Sequence, residues 1–232
     1  MNSSKDYYDS IAQDYSAISA KRKPFLDQVN ALIVANSPKR LDYADIGAGD
    51  GARSHVIAQG LQARTCTLID ESAELLDKVP SDLKTAIIQG SITELDLDDR
   101  FDVVTCLWNV LGHLPDLEQR DEAVRRIARS VRPGGLAFVD VNNRYNIQEY
   151  GLENVMRNVE ADARMRDGRG WYPIAQSNSE TKVYIHGPFE LDPILERSGF
   201  EIVRRFHVDY LNGELHLEFW KGQVLYMLGK RN

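Results

Sequence analysis

The chain has 232 residues, with 28 Lys and Arg against 35 Asp and Glu, giving a formal net charge of −7. Hydrophobic residues make up 43% and charged residues 27%, enough for one sizeable core in an ordinary globular protein. No long basic run offsets the acidic balance, and Lys21-Arg22-Lys23 is too short to do so, which disfavours a duplex nucleic-acid binder working through phosphates.

From the N-terminus, residues 5–20 read as a helix, because Tyr8, Ile11, Ala12 and Tyr15 share a face at i, i+3, i+4, i+7 spacing. Pro24 opens a second helix, Phe25 to Val34, with Phe25, Val29, Leu32 and Ile33 inward. Leu41-Asp-Tyr-Ala-Asp45-Ile46 is a short apolar strand running into the turn Gly47-Ala-Gly49-Asp50-Gly51, and a helix starts at Ala52. Glycines there let the backbone reverse sharply and approach a ligand closely. Gly47-x-Gly49-x-x-Ala52 formally satisfies the dinucleotide fingerprint. Asp50 inside the turn and Asp45 at its mouth would repel a pyrophosphate, so a ligand carrying positive charge fits better.

A second strand, Thr65–Asp70, ends in an acid 23 residues beyond Gly47, a separation at which a carboxylate can reach ribose hydroxyls; Asp70 can equally cap the next helix. Thr85–Gly90 is a third strand. The run Phe101–Leu107 is a fourth, apolar as expected of a parallel strand buried on both faces. Trp108-Asn109-Val110-Leu111-Gly112-His113 follows at its carboxyl end, where open α/β sheets bind ligands. A helix spans Leu117 to Val131, Arg132-Pro133-Gly134-Gly135 ends it, and Leu136–Val141 is the fifth strand. Residues 142–188 then form a long excursion. It contains a helix from Gln148 to Arg164, a loop from Gly168 to Pro173 and a strand from Ser179 to His186. Its aromatics Tyr145, Trp171, Tyr172 and Tyr184 favour a pocket wall over a solvated loop. A last helix within Pro188–Phe200 precedes two strands, Glu201–Tyr210 and Gly222–Gly229.

Strand-Asp45-x-Gly47-x-Gly49-x-Gly51 resembles the first motif of the class I S-adenosylmethionine (SAM)-dependent methyltransferases. Asp70-Glu71-Ser72-Ala73-Glu74-Leu75-Leu76 resembles their second, helix–Arg132-Pro-Gly-Gly135–strand is a frequent family signature, and Tyr8-Asp9…Ala12-x-x-Tyr15 is similar to their N-terminal lid. The likeness runs along nearly the whole chain. It implies an α/β, Rossmann-like, doubly wound and mostly parallel seven-stranded sheet with an antiparallel last strand, as one domain over 1–232. An N-terminal helical lid would cover residues 1–36, and an acceptor-pocket insertion residues 142–188.

The resemblance also implies the cofactor, SAM, and its contacts. Tyr15 and Asp45 would serve the methionine end, Gly47 and Gly49 would pass beneath it, and Asp70 would take the ribose, with Glu71 beside it. Ser91 and Ile92 would meet the adenine, and Leu107 and Trp108 would lie along the cofactor. Ser91 departs from the family's usual aspartate, which leaves that contact without a charge. Asn109, Asn142, Asn143, Arg144, Tyr145, Trp171 and Tyr184 are placed by position near the acceptor, and His113 and Tyr15 are the candidate bases.

The reading is methyl transfer to N or O of a small molecule by in-line displacement. Alternatives are an RNA or protein methyltransferase, an NAD-dependent oxidoreductase, and a SAM-binding module without activity. Cys66 and Cys106 lack metal-ligand spacing and read as buried free thiols, so no metal is expected. A polar, acidic N-terminus and the lack of a long apolar span lead to an expected cytoplasmic location with no membrane or nucleic-acid partner.

Overall fold

The computed structural model describes residues 3–80, 85–176 and 179–231. Strands β1 (Asp42–Ile46), β2 (Thr65–Asp70), β3 (Thr85–Gln89), β4 (Phe101–Cys106) and β5 (Val131–Val141) lie parallel. With β8 (Phe200–Val208), β9 (Leu215–His216) and β10 (Gln223–Lys230) they form one sheet in the order β3-β2-β1-β4-β5-β10-β8-β9. The last strand, β10, inserts antiparallel between β5 and β8, with Tyr226 opposite Val139 on one side and Arg205 on the other. The expected seven strands are present, and the two-residue β9 adds an eighth at the edge by pairing His216 with His207.

Helices cover both faces. On one, Phe25, Val29 and Ile33 of α3 (Lys23–Ala35) and Ile57 and Leu61 of α4 (Ala52–Leu61) pack with Tyr43, Val103 and Phe138. On the other, Ala123, Val124 and Ile127 of α6 (Leu117–Ser130) and Ile194 and Leu195 of α9 (Asp192–Arg197) cover Ala44, Val104 and Val139. Parallel strands sandwiched this way need side chains that are largely apolar on both faces, which fits β4, where Thr105 is buried against the Asp45 carboxylate. Strand order reverses between β1 and β4, and the crevice over their carboxyl ends is the place such sheets offer to ligands.

Four elements differ from the sequence expectation. The N-terminal helix breaks at residues 12–14 into α1 (Ser4–Ile11) and α2 (Tyr15–Ala20). The helix placed at 148–164 is two, α7 (Ile147–Tyr150) and α8 (Leu152–Ala163), separated by Gly151 at φ +77°. The Gly168–Pro173 loop runs into a hairpin of β6 (Trp171–Gln176) and β7 (Ser179–Tyr184), which stands apart from the main sheet. Finally, α6 passes directly into β5 at Val131. The Arg132 Nη1 donates to Asp42 at 2.8 Å and to Asp102 at 2.9 Å, tying the starts of three neighbouring strands, while Gly134 takes the left-handed turn at φ +76°. Both cysteines are free thiols, Cys106 buried and Cys66 partly so. Among the described residues no helix is long and apolar enough to cross a membrane, and no group of His, Cys, Asp or Glu could hold a metal.

Candidate active site

Three left-handed glycines, Gly47 (φ +77°), Gly49 (φ +58°) and Gly51 (φ +72°), carry the chain from β1 into α4. Side-chain-bearing residues are strained in that region, so glycine is required here. A Cβ on Gly49 would lie 3.0 Å from the Tyr15 Oη, and one on Gly47 would lie 2.3 Å from Val110 Cγ2. The turn is therefore floored by bare backbone and roofed by Tyr15 from α2 and Val110 from the segment after β4.

The turn is held by acids. The amide of Gly49 donates to Asp70 Oδ2 at 2.8 Å, and Ser72 N donates to Asp70 Oδ1 at 2.9 Å. Asp70 thus pins the glycine turn to the end of β2 as well as facing the cavity beside it. The expected helix cap belongs instead to Ser72, whose hydroxyl accepts from Leu75 N. Asp45 Oδ1 accepts from Thr105 at 2.6 Å and Asp45 Oδ2 from Ser54 at 2.5 Å, so its carboxylate joins β1, β4 and α4. Asp50 Oδ1 accepts from Ala52 N at 3.1 Å, filling a helix N-terminal amide that a pyrophosphate would need.

Beyond β4, Trp108 (φ 64°) and Asn109 (φ 60°) are consecutive non-glycine residues in the left-handed region. That conformation is costly for a bulky side chain and persists only where surroundings impose it. Here the buried Asp140 of β5 imposes it: Asn109 N donates to Asp140 Oδ1 at 2.9 Å and the Trp108 amide bonds to the same carboxylate. Asn109 is fixed further, its side chain donating to the Tyr184 carbonyl at 3.2 Å and accepting from Asn142 N at 3.0 Å.

Two polar atoms near this point have no protein partner, Asp140 Oδ2 and Arg53 Nη2. Arg53 Nε is held by the buried Asn30 Oδ1 at 3.2 Å, and its charge is felt by Asp45, Asp140 and Tyr15. Burial pushes the carboxyl groups of Asp45, Asp70 and Asp140 above the usual aspartate range; Arg53 opposes the shift at Asp45 and Asp140, whereas amide hydrogen bonds from Ser72 and Gly49 oppose it at Asp70.

The cavity over the turn is lined by Tyr15, Gly47, Gly49, Asp70, Glu71, Ile92, Leu107, Trp108 and His113, together with Lys5, Tyr8 and Val110 among others. Eight of the ten residues expected to meet the cofactor are therefore brought together. The other two, Asp45 and Ser91, do not line it: Asp45 lies beneath the turn, and Ser91 Oγ accepts from Thr93 N to cap the short turn Ile92–Glu94.

Tyr8, Tyr15, Trp108 and His113 also border a second chamber on the other side, which continues between α2, α8, the β6–β7 pair and Tyr210. Its walls include Asn109 and Asn142. Asn143, Arg144, Tyr145, Trp171 and Tyr184 do not face it. Asn143 Nδ2 donates to the Phe219 and Gly222 carbonyls, and the Tyr145 hydroxyl donates to Asp162 at 2.7 Å. Arg144 is clamped between Asp162 (2.8 Å) and Glu190 (2.6 Å). The Tyr184 hydroxyl also donates to Glu190, while Trp171 packs edge-on against the Tyr184 ring. These five residues build the insertion behind its wall.

Of the candidate bases, His113 shares its Nε2 with the Tyr8 hydroxyl at 2.9 Å, and burial lowers its pKa to about 4. The imidazole is thus neutral near pH 7. Burial and the nearby Asp50 and Asp70 push the Tyr15 phenol upward, which leaves it a hydrogen-bond donor at neutral pH. Sequence reasoning missed Asp140 and Arg53. For Asp140 a signal existed: an acid near the carboxyl end of the apolar run Leu136–Val141.

A parallel sheet with one inserted antiparallel strand, bearing a glycine turn and an acid at the next strand end, defines the class I SAM-dependent methyltransferase fold. Residues 44–135 match the family model described as a methyltransferase domain.

Among similar sequences are a cypemycin N-terminal methyltransferase of a Streptomyces species (28% identical, 62% of this chain and 60% of that one) and a dTDP-3-amino-3,6-dideoxy-alpha-D-glucopyranose N,N-dimethyltransferase of Streptomyces fradiae (28%, 58% and 54%). A ubiquinone biosynthesis O-methyltransferase of Rickettsia conorii is 24% identical over 62% of this chain and 49% of that one. The chain therefore spans half to three-fifths of the length of these relatives. Solved structures with the same fold include a SAM-dependent methyltransferase from Clostridium acetobutylicum (TM-score 0.69, 16% identity, 97% of this chain and 99% of that one). Another is a Burkholderia thailandensis 1,6-didemethyltoxoflavin-N1-methyltransferase with bound 1,6-didemethyltoxoflavin and S-adenosylhomocysteine (TM-score 0.65, 18%, 98% and 87%).

Proposed function

We propose that the chain methylates an N or O atom of a small molecule, using SAM bound over the glycine turn. The observation that carries this reading is the turn itself: bare backbone at Gly47 and Gly49, stapled to Asp70 by the Gly49 amide. The groups on hand match the cofactor's chemistry. Asp70 and Glu71 face the cavity where ribose hydroxyls would donate, and Ile92 and Leu107 offer apolar surface to a ring. When bound, SAM supplies a methyl group on a positive sulfur, which an acceptor lone pair displaces in line.

The chain's own residues hold and enclose the reactants. Residues 1–36 act as the lid: Tyr8 and Tyr15 close the partition, and the lid is latched by Ser72 Oγ to Asp9 at 2.5 Å and by Arg22 to Glu149 at 2.9 Å. Residues 142–188 wall the acceptor chamber. Rate enhancement comes from alignment and exclusion of water at the Trp108 partition. For a hydroxyl acceptor, His113 is the neutral group on hand, but the burial that lowers its pKa to about 4 makes it a weak base, and Tyr15 holds its own proton. Curated relatives are named for both N- and O-methylation, so both atom types belong in the screen.

The dinucleotide alternative is disfavoured by Asp50 on the Ala52 amide and by the inserted antiparallel β10. The test is transfer of labelled methyl from SAM to a panel of amines, phenols and hydroxy acids. Label in at least one product, lost in a folded Asp70→Ala variant at limiting SAM, is expected; no transfer to any small molecule alongside label in RNA or protein would overturn the reading.

A further inference from the structure

The acceptor chamber has a one-sided charge distribution. Toward its inner end, at the Trp108 partition, it is lined by uncharged groups, among them Tyr8, Asn109, His113 and Asn142. Toward its mouth the charged side chains are Lys21, Arg22 and Arg157, and among the described residues no Asp or Glu lines it. The chain's net charge is −7, yet the charged side chains that line this cavity are all cations; the acids that pair with Arg22 and Arg157, Glu149 and Glu153, do not line it.

These cations are disposed differently. Arg22 is half-buried, bonded to Glu149 and stacked 4.1 Å over the Tyr210 ring, so it is a fixed part of the wall. Arg157 on α8 reaches Asn154 Oδ1 at 2.8 Å and pairs with the exposed Glu153, an i,i+4 contact that water weakens. Lys21, between α2 and α3, has no ion-pair partner among the described residues. Cationic groups at the rim of a low-dielectric cleft raise the local concentration of anions, and the chamber is also walled by the rings of Tyr150, Tyr172 and Tyr210.

We propose that the acceptor is an anionic ring compound, whose carboxylate or phosphate is held at the mouth by Lys21, Arg22 and Arg157 while the atom to be methylated reaches the uncharged end beside Trp108. This rests on the methyltransferase reading of the same site. An ammonium-bearing acceptor without an anionic group finds no carboxylate in this chamber to hold it.

The test is calorimetric titration of the protein, saturated with S-adenosylhomocysteine, with phenyl phosphate, benzoate, benzamide and benzylamine. We expect at least one of the two anions to bind tenfold or more tighter than benzamide and benzylamine, and the tighter of the two identifies the oxyanion. In the exposed-site double variant Lys21→Glu/Arg157→Glu that preference falls to within threefold, while S-adenosylhomocysteine affinity is unchanged. Equal binding of benzamide and both anions by the wild-type protein, or a preference that survives the double reversal, overturns the proposal. Loss of S-adenosylhomocysteine binding would instead overturn the methyltransferase reading. An anion preference that persisted in that case would leave an anion site and no acceptor pocket.

Discussion

Asp70 and Gly49 act as one unit, because the carboxylate that faces the cavity also accepts the amide of the glycine turn. Removing it takes away hydrogen bonds to a charged group, each worth roughly 1.5–3 kcal/mol. Asp70→Ala is therefore expected to weaken S-adenosylhomocysteine binding by about 1–3 kcal/mol in calorimetry; unchanged affinity would reduce Asp70 to a staple of the turn. Gly49→Val has two faults. Its φ of +58° is hostile to a branched residue, and its Cβ would press on the Tyr15 phenol that roofs the turn. Binding is expected to fall beyond detection in a variant that still folds by circular dichroism. Retained affinity would show that the cofactor does not pass over this glycine.

Between elements, Arg144 is the most heavily bonded fastening of the insertion, alongside the Asn143 and Asn109 hydrogen bonds and the Arg22–Glu149 pair. Arg144, 6% exposed, joins Asp162 after β5 to Glu190 before α9 and also donates to the Ile185 carbonyl at 2.8 Å. Glu190 and Asp162 hold its guanidinium charged against the cost of burial. Arg144→Met leaves two carboxylates without their shared partner, a change expected to cost about 3–5 kcal/mol. Urea unfolding read by tryptophan fluorescence and by far-ultraviolet dichroism checks this; a loss under about 1 kcal/mol would mean that the insertion is held by its other contacts and that the Arg144 pairs contribute no more than a surface pair. Asp140 performs the corresponding task between β4 and β5, where it holds Trp108 and Asn109 in strained conformations at the partition of the two chambers.

Across the whole molecule, pH acts through groups buried in the form that water does not favour. His186 is 1% exposed, and burial lowers its pKa to about 3, against an ordinary value near 6.5. Its folded pKa is depressed, so the unfolded chain takes up the proton first. Stability is full above about pH 6.5 and falls as pH drops toward the folded value. Between pH 7 and pH 4.5 the wild-type protein should lose about 2–3 kcal/mol more than His186→Leu, the linkage expected for two pH units. Parallel losses in the two proteins would place the acid sensitivity elsewhere.

How far the sequence revealed this molecule depended on contiguity. The glycine turn, Asp70, and the Trp108 segment were legible because each is a short run whose residue types answer a local demand of backbone or charge. The individual strands could be read from their apolar runs, while the mostly parallel sheet with an antiparallel last strand came from the family resemblance. The acceptor side was poorly legible. Asn143, Arg144, Tyr145, Trp171 and Tyr184 sit in the right segment, but which of them face the chamber is decided by long-range partners such as Glu190, Asp162 and Gly222. Arg53 gave no local sign, since a basic residue in the first turn of a helix looks like solvent-exposed surface until Asn30 and α3 are packed against it.

The central claim is that the cavity over Gly47 and Gly49 holds S-adenosylmethionine. Calorimetric titration of the purified protein with S-adenosylhomocysteine and, separately, with NAD tests it most directly. The account predicts saturable micromolar binding of S-adenosylhomocysteine, abolished by Gly49→Val, and no heat from NAD. Binding of NAD alone, or S-adenosylhomocysteine binding indifferent to Gly49→Val, would contradict it.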